Sequence, residues 1–311
     1  VVAGCRARGC AAPAAGVLRG HRYAAAEDDG DVLLGAAVGG GDECGRVCAL
    51  AALSDGRSLA VGVAVDLGGN VEVWHVAGTL SVRVVDIPYD SPARALAALA
   101  DGRLAVGGSD DGCVRIVDVE AGVEGGELRG HGSRVTALAA LPTGALVSGS
   151  TDGTVLVWDV GAQVCVAELP VDVGTGWVES LAVLADGRLA CGTLGGEITL
   201  WDAESLTCVG TVAGHGSCVA ALAALPDGRL VSGSYDSDGG AILLWDTRPA
   251  AAAAAAATSC AASSVPMTVL AQLPYGVGAV ALLPDGRLAF AFPDTVKVLL
   301  LDVPPPATYN S

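Results

Sequence analysis

The chain has 311 residues, of which 52% are hydrophobic and only 4% are aromatic, and its formal net charge is −17 at pH 7. A chain this acidic repels the phosphate backbone of nucleic acids, so we expect no nucleic-acid partner. The sequence contains no uninterrupted apolar run long enough to span a membrane, so we expect no membrane partner either.

The first 45 residues precede any regular pattern. Residues 1–15 are predicted to form an N-terminal tail, and the acidic stretch 27–31 is interpreted as a solvated loop because it lacks the ligand spacing of a calcium loop. Residues 16–20 read Gly-Val-Leu-Arg-Gly and are followed by His21, much as Gly126-Glu-Leu-Arg-Gly130 is followed by His131. We therefore expect residues 16–20 to form a strand.

A short phrase, Asp-Gly-Arg-Leu-Ala, then recurs along the chain. Identical or similar copies begin at Asp55, Asp101, Thr143, Asp186, Asp227 and Asp285. The spacings between them are 46, 42, 43, 41 and 58 residues. Such a period marks one supersecondary unit that is repeated, and repeat architectures mostly bind other molecules.

The cleanest unit, residues 135–166, predicts four short strands. Its apolar runs are separated by Pro142-Thr143-Gly144, by Thr151-Asp152-Gly153 and by a turn after Asp159. Turns this short can join only antiparallel strands, and the runs are too short for helices. One such sheet cannot bury both of its faces, so we expect successive sheets to pack face to face around an axis.

The units share further residues near their third strands. These strands end in Trp74-His75, Val117-Asp118, Trp158-Asp159, Trp201-Asp202, Trp245-Asp246 and Leu301-Asp302. Two units are also preceded by a Gly-His pair, Gly130-His131 and Gly214-His215.

With these motifs, residues 16–303 resemble the WD-repeat (WD40-type) family of β-propellers. The resemblance implies an all-β propeller of four-stranded antiparallel blades. It also implies that a His, a strand Ser or Thr, a turn Asp and the Trp form a hydrogen-bonded tetrad within one blade. Two units carry all four types: His131, Ser148, Asp152 and Trp158 in one, and His215, Ser232, Asp236 (or Asp238, in a longer turn) and Trp245 in the other.

Other units depart from this pattern and are expected to be less rigid. Val61 and Phe290 stand where the Ser belongs in the first and sixth units. In the fourth unit, Cys191 and Gly195 replace the Ser and the Asp.

Six blades are predicted, with seven as the alternative. The sixth unit runs into Pro304-Pro305-Pro306, which cannot continue a strand ladder, so its fourth strand is missing. We expect residues 16–20 to supply that strand and to close the ring, which would remove an open edge. The long stretch between His21 and Val47 leaves room for a degenerate seventh blade.

Two segments lie outside the repeats. An Ala-rich stretch at about residues 248–265 accounts for most of the longest spacing and is interpreted as a surface insertion. Residues 304–311 are expected to form a C-terminal tail.

The ten cysteines are scattered and form no CxxC pair. We expect free thiols that act as small hydrophobes, Cys165, Cys191 and Cys208 among them, and hence a reducing, intracellular and cytoplasmic location.

No catalytic motif stands out, so no enzyme, cofactor or metal site is expected. The main hypothesis is a non-enzymatic scaffold or adaptor that presents the rims of the ring to protein partners. The alternative rests on Trp245-Asp246-Thr247-Arg248, which resembles the W-D-x-R docking motif of substrate receptors in cullin-type ubiquitin ligases. In that alternative, Asp246 and Arg248 would contact the ligase adaptor.

Overall fold

The computed structural model describes residues 46–53, 58–65, 68–77, 80–89, 92–108, 110–171, 176–235, 239–248, 265–282, 287–291 and 298–305. These residues form 23 β-strands in six antiparallel sheets, and no helix occurs among them. The sheets are the blades of a β-propeller, which we number 1 to 6 in chain order.

The first three blades contain four strands each. Blade 1 contains β1 (Arg46–Ala52), β2 (Ser58–Val65), β3 (Gly68–Ala77) and β4 (Leu80–Tyr89). Blade 2 contains β5 (Ala95–Ala98), β6 (Leu104–Gly107), β7 (Val114–Asp118) and β8 (Val123–Leu128). Blade 3 contains β9 (Val135–Ala140), β10 (Leu146–Ser150), β11 (Thr154–Asp159) and β12 (Val164–Pro170).

Blades 4 and 5 repeat this order, and blade 6 has three described strands. Blade 4 contains β13 (Val178–Val183), β14 (Leu189–Thr193), β15 (Glu197–Asp202) and β16 (Thr207–Ala213). Blade 5 contains β17 (Val219–Ala224), β18 (Leu230–Ser234), β19 (Gly240–Trp245) and β20 (Met267–Leu273). Blade 6 contains β21 (Ala279–Leu282), β22 (Leu288–Ala291) and β23 (Val298–Leu301).

The first strand of each blade lies next to the first strand of the following blade, from β1 through β21, so these strands surround the central axis. The predicted all-β propeller with six blades is confirmed. The segments expected to close the ring or to add a seventh blade, residues 16–20 and 21–45, lie outside the described residues, as does most of the Ala-rich insertion, which follows β19.

The recurring Asp-Gly-Arg phrase forms the turn between the first and second strands. In blade 2, Asp101 accepts a hydrogen bond from the Arg103 backbone N–H (3.0 Å) and another from the Arg103 Nε (2.8 Å). Gly102 between them has φ +88°, a left-handed conformation that glycine adopts without a steric penalty. The phrase recurs because it is a self-contained turn.

The apolar core lies between neighbouring blades. The cluster between blades 2 and 3, for example, joins Ala105 and Ile116 to Leu146, Leu156 and Trp158. Each interface thus buries one face of two thin sheets, and mostly branched aliphatic side chains fill it.

Glycine in the second strand permits this close approach. A Cβ at Gly149 of blade 3 would lie 2.5 Å from Val178 Cγ1 of blade 4, and a Cβ at Gly192 of blade 4 would lie 2.7 Å from Val219 Cγ1 of blade 5. Any larger residue would push the blades apart, which explains the Gly inside these strands.

The fourth, outermost strand of every four-stranded blade pairs irregularly with the third strand. The register shifts at Val73/Trp74, Ile116/Val117, Val157/Trp158, Leu200/Trp201 and Ile242/Leu243. Such bulges twist an edge strand and discourage further strands from adding to it.

Candidate functional site

The structure brings His131, Ser148, Asp152 and Trp158 of blade 3 into one hydrogen-bonded chain. The Trp158 Nε1 donates to Ser148 Oγ at 2.7 Å, and Ser148 Oγ lies 2.6 Å from His131 Nε2. His131 Nδ1 lies 3.1 Å from Asp152 Oδ2. Since a carboxylate only accepts, His131 donates from Nδ1, and its Nε2 accepts the hydroxyl proton of Ser148.

The Asp152 carboxylate accepts further hydrogen bonds. The Gly132 N–H (2.7 Å), the Thr154 N–H (2.9 Å) and the Thr154 hydroxyl (2.7 Å) all donate to its carboxylate. Burial opposes ionisation of Asp152, but the bonds from Thr154 and Gly132 and the nearby His131 lower its pKa below the usual value. Sequence reasoning missed Thr154, although its position two residues after Asp152 suits this bond.

The His131 ring is neutral near pH 7. Burial lowers its pKa below the usual value, and Asp152 opposes that shift. All four side chains are therefore engaged in holding blade 3 together, and none is free to act on a substrate.

Blade 5 contains three of the four predicted tetrad residues among those the structure describes. Trp245 Nε1 donates to Ser232 Oγ at 2.7 Å, and that oxygen lies 2.5 Å from His215 Nε2. Asp236 and Asp238 lie outside the described residues. The buried His215 Nδ1 has no hydrogen-bond partner within the described part of the chain, and burial lowers the pKa of His215 to about 4.

The Gly-His motif also has a packing reason. A Cβ at Gly130 would lie 2.9 Å from Trp158 Cη2, and a Cβ at Gly214 would lie 2.6 Å from Trp245 Cη2. The indole ring of each blade therefore occupies the space that any other residue would need at the glycine.

In blade 4, the indole N–H of the tryptophan has a different hydrogen-bond acceptor. Trp201 Nε1 donates to Thr199 Oγ1 at 2.9 Å, on the same strand. Thr199 was not predicted, but it lies two residues before Trp201 and hence on the same face of the strand. Cys191, at the Ser position, is fully buried, and burial raises its pKa to about 12.

The cysteines only partly follow the expectation of free thiols. Cys113, Cys165, Cys191 and Cys218 are free thiols. Cys208 is disulfide-bonded, so that expectation is wrong for Cys208.

The W-D-x-R segment lies at the turn that follows β19. Arg248 Nε lies 2.7 Å from Asp246 Oδ1 and its Nη2 lies 2.5 Å from Asp246 Oδ2, so the two residues form a two-pronged ion pair. The Arg248 side chain remains 36% exposed. Thr247 between them is buried, and its hydroxyl donates to the Gly228 carbonyl at 2.8 Å.

Two faces of the propeller can be distinguished. We call the face where first strands begin and second strands end the upper face, and the face with the Asp-Gly-Arg turns the lower face. The exposed aromatic side chains among the described residues are Trp177, Tyr235 and Tyr275. Trp177 precedes β13, Tyr235 follows β18 and Tyr275 lies between β20 and β21, so all three belong to the upper face.

The first strands of blades 3 and 4 each contain a bulge near the upper face. Thr136 of blade 3 and Glu179 of blade 4 are the extra residues at two such bulges. Arg94 takes the corresponding place before Ala95 in blade 2.

Within the described residues, no group of His, Cys, Asp and Glu side chains could hold a metal ion. A search of the same residues finds no helix long and apolar enough to cross a membrane.

The model of the family described as "WD domain, G-beta repeat" matches residues 122–159 and 206–246. Each match contains the fourth strand of one blade and the first three strands of the next, and each includes one of the two Gly-His pairs. A search of curated proteins finds no match.

Among solved structures, a chain in the "Crystal Structure of Mitotic Checkpoint Complex" is 24% identical, with a TM-score of 0.63. The alignment covers 80% of this chain and 74% of that chain. In all, 1270 chains of solved structures match, so the fold by itself does not specify one function.

Proposed function

Because the chain carries WD40 repeats on a six-bladed β-propeller, we propose that it is a non-enzymatic scaffold or adaptor whose rims and central opening bind other proteins. The observation that carries this proposal is the distribution of aromatic side chains. Aromatic residues make up only 4% of the sequence, yet three of them are exposed together on the upper face. Trp and Tyr are enriched in protein interfaces, where they provide much of the binding energy.

The composition of the molecule favours protein partners over nucleic acids and membranes. The net charge of −17 disfavours phosphate backbones and anionic lipid surfaces. The described tetrad residues, which include both buried histidines, are hydrogen-bonded within the blades, and this favours a binding role over acid–base catalysis.

Isolation of the tagged protein from native lysate, followed by mass spectrometry, tests the scaffold proposal. We expect a reproducible set of proteins that is lost when Trp177 and Tyr275 are both replaced by Ala. Replacement of Val164 and Val166, which are exposed on the outer strand of blade 3, provides the matched control. Recovery of no specific protein, or equal loss with both double variants, would contradict the proposal.

A second candidate function is that of a substrate receptor in a cullin-type ubiquitin ligase. Arg248 belongs to the lower face and is 36% exposed, so an adaptor bound there would leave the aromatic upper face available to a substrate. Docking through Arg248 would have to replace its ion pair with Asp246.

The same isolation with Arg248→Ala tests this candidate. Arg103→Ala is the matched control, because Arg103 pairs with the carboxylate two residues before it on the same face and is 30% exposed. Ligase adaptor peptides that disappear only with Arg248→Ala would support the receptor function. Absence of adaptor peptides from the wild-type sample would exclude it.

A further inference from the structure

In two blades, the arginine of the Asp-Gly-Arg turn bonds to the neighbouring blade. Arg188 Nη2 of blade 4 donates to the Thr247 carbonyl of blade 5 at 2.6 Å. Arg229 Nη1 of blade 5 donates to the Pro304 carbonyl, beyond the third strand of blade 6, at 2.7 Å. Each of these arginines therefore reaches the segment that follows the third strand of the next blade on the lower face.

The aspartate of the same turn orients each guanidinium. Arg188 Nε donates to Asp186 Oδ2 at 2.8 Å, and Arg229 Nε donates to Asp227 Oδ2 at 2.7 Å. Because a guanidinium is planar, an ion pair along one edge fixes the direction of the donors on its other edges. Those donors then make charge-assisted hydrogen bonds to a backbone carbonyl, which are stronger than bonds between neutral groups.

Thr247 connects the two contacts. Its carbonyl accepts the bond from Arg188, and its hydroxyl donates to the Gly228 carbonyl at 2.8 Å, in the turn that contains Arg229. Thr247 and Arg229 are both buried. A continuous series of hydrogen bonds thus runs along the lower face from blade 4, through blade 5, to the segment after blade 6.

The corresponding turns of blades 2 and 3 make no such contact among the described residues. The Arg103 guanidinium of blade 2 bonds only to Asp101 within that part of the chain. The Arg103 side chain is 30% exposed, whereas that of Arg188 is 17% exposed and that of Arg229 only 6%. In blade 3, Ala145 stands at the arginine position. Blades 2 and 3 therefore provide a comparison within the same molecule.

We propose that Arg188, Thr247 and Arg229 form a strap on the lower face that joins blades 4, 5 and 6 into one cooperative unit. Loss of the contact at one end loosens the turn in the next blade, because the bonds share residues. Since Thr247 belongs to the W-D-x-R segment, the strap also fixes the backbone that carries Arg248. The strap does not depend on either proposed binding function.

Hydrogen exchange measured by NMR on the full chain tests whether the effect passes from blade to blade. The Gly228 N–H donates to the Leu225 carbonyl at 3.0 Å, and the Gly102 N–H of blade 2 makes the equivalent bond to Leu99 at 3.1 Å. We expect Arg188→Ala to raise the exchange rate of the Gly228 amide about fivefold or more, although residue 188 belongs to another blade. The Gly102 amide is the matched control and should be unchanged. No change at Gly228, or an equal increase at both amides, would overturn the proposal.

A double-mutant cycle in urea unfolding tests the cooperativity of the strap. If its bonds act as a unit, the combined effect of Arg188→Ala and Arg229→Ala on the unfolding equilibrium constant is smaller than the product of the single effects, by about twofold or more. Arg103→Ala combined with Arg229→Ala should show no such difference, because Arg103 shares no bond with the strap. Thr247→Val removes the hydroxyl and should abolish the coupling, whereas Thr247→Ser should retain it. Independent effects of Arg188→Ala and Arg229→Ala would show two separate contacts and no strap.

Discussion

Blades 3 and 5 have nearly the same sequence pattern but differ in the hydrogen bonds that the ring of their buried histidine makes among the described residues. In blade 3, both ring nitrogens of His131 have partners, and Asp152 links the ring to two backbone N–H groups and a hydroxyl. In blade 5, His215 is bonded at Nε2 alone within the described residues. Among the described residues, the hydrogen-bonded chain is therefore longer in blade 3 than in blade 5.

The largest expected effect of this difference is on stability against acid. The folded-state pKa of His215, about 4, lies below the value of about 6.5 for an unfolded chain. Between these values the unfolded state binds more protons, so stability falls as the pH falls from 6.5 to 4, by roughly 3 kcal/mol in total. Urea unfolding at several pH values in this range measures the slope.

His215→Gln should flatten that slope, and His131→Gln should change it less, because Asp152 opposes the pKa shift of His131. Equal slopes for the wild type and His215→Gln would show that His215 does not stay neutral in the folded protein.

Removal of Asp152 should make blade 3 resemble blade 5. Asp152→Ala leaves two backbone N–H groups without their acceptor and leaves His131 Nδ1 with only Thr154 Oγ1, at 3.0 Å, so we expect a loss of about 2 kcal/mol in the free energy of unfolding. The pKa of His131 should fall further, which NMR titration of its ring protons would detect. An unchanged His131 pKa would mean that Asp152 does not govern the charge of the ring.

Replacement of the glycine of the Gly-His motif by alanine tests whether the Trp245 indole packs against it. A Cβ at Gly214 would collide with Trp245 Cη2 at 2.6 Å, whereas a Cβ at Gly216, two residues later, would meet no atom within 4 Å. We expect Gly214→Ala to destabilise the protein by roughly 1 to 2 kcal/mol. Gly216→Ala should be neutral or slightly stabilising in the same thermal unfolding experiment. Equal effects would refute this explanation of the motif.

The smallest expected effect concerns the contact between blades 5 and 6. Arg229 of the blade 5 turn is buried and donates from Nη1 to the Pro304 carbonyl, beyond the last strand of blade 6, at 2.7 Å. Arg229→Ala should cost about 1 kcal/mol, since the hydrogen bond to Pro304 and the local ion pair with Asp227 are both lost. Arg103→Ala, whose ion pair is local and more exposed, should cost less than half of that. Chemical denaturation of both variants provides the comparison.

Sequence reasoning predicted the parts of the fold that depend on local chemistry. The Asp-Gly-Arg turns, the short alternating strands and the Trp-Asp ends repeat because each is specified within a few residues. The family resemblance, which rests in part on Trp158 and His131, also predicted which side chains meet in blade 3. Thr154, and the role of Thr199 in blade 4, were missed because a strand threonine next to other polar residues carries no distinctive signal.

The sequence by itself determined the repeat unit, its four-stranded antiparallel form, the number of units and the acidity of the surface. Only the tertiary structure decided which polar groups are engaged and which remain available. It pairs Arg248 with Asp246 and, among the described residues, places three exposed aromatic side chains on one face. The physical reason is that ion pairing and exposure depend on neighbours brought together from different strands and blades, whereas turns and strands depend on neighbours in the chain.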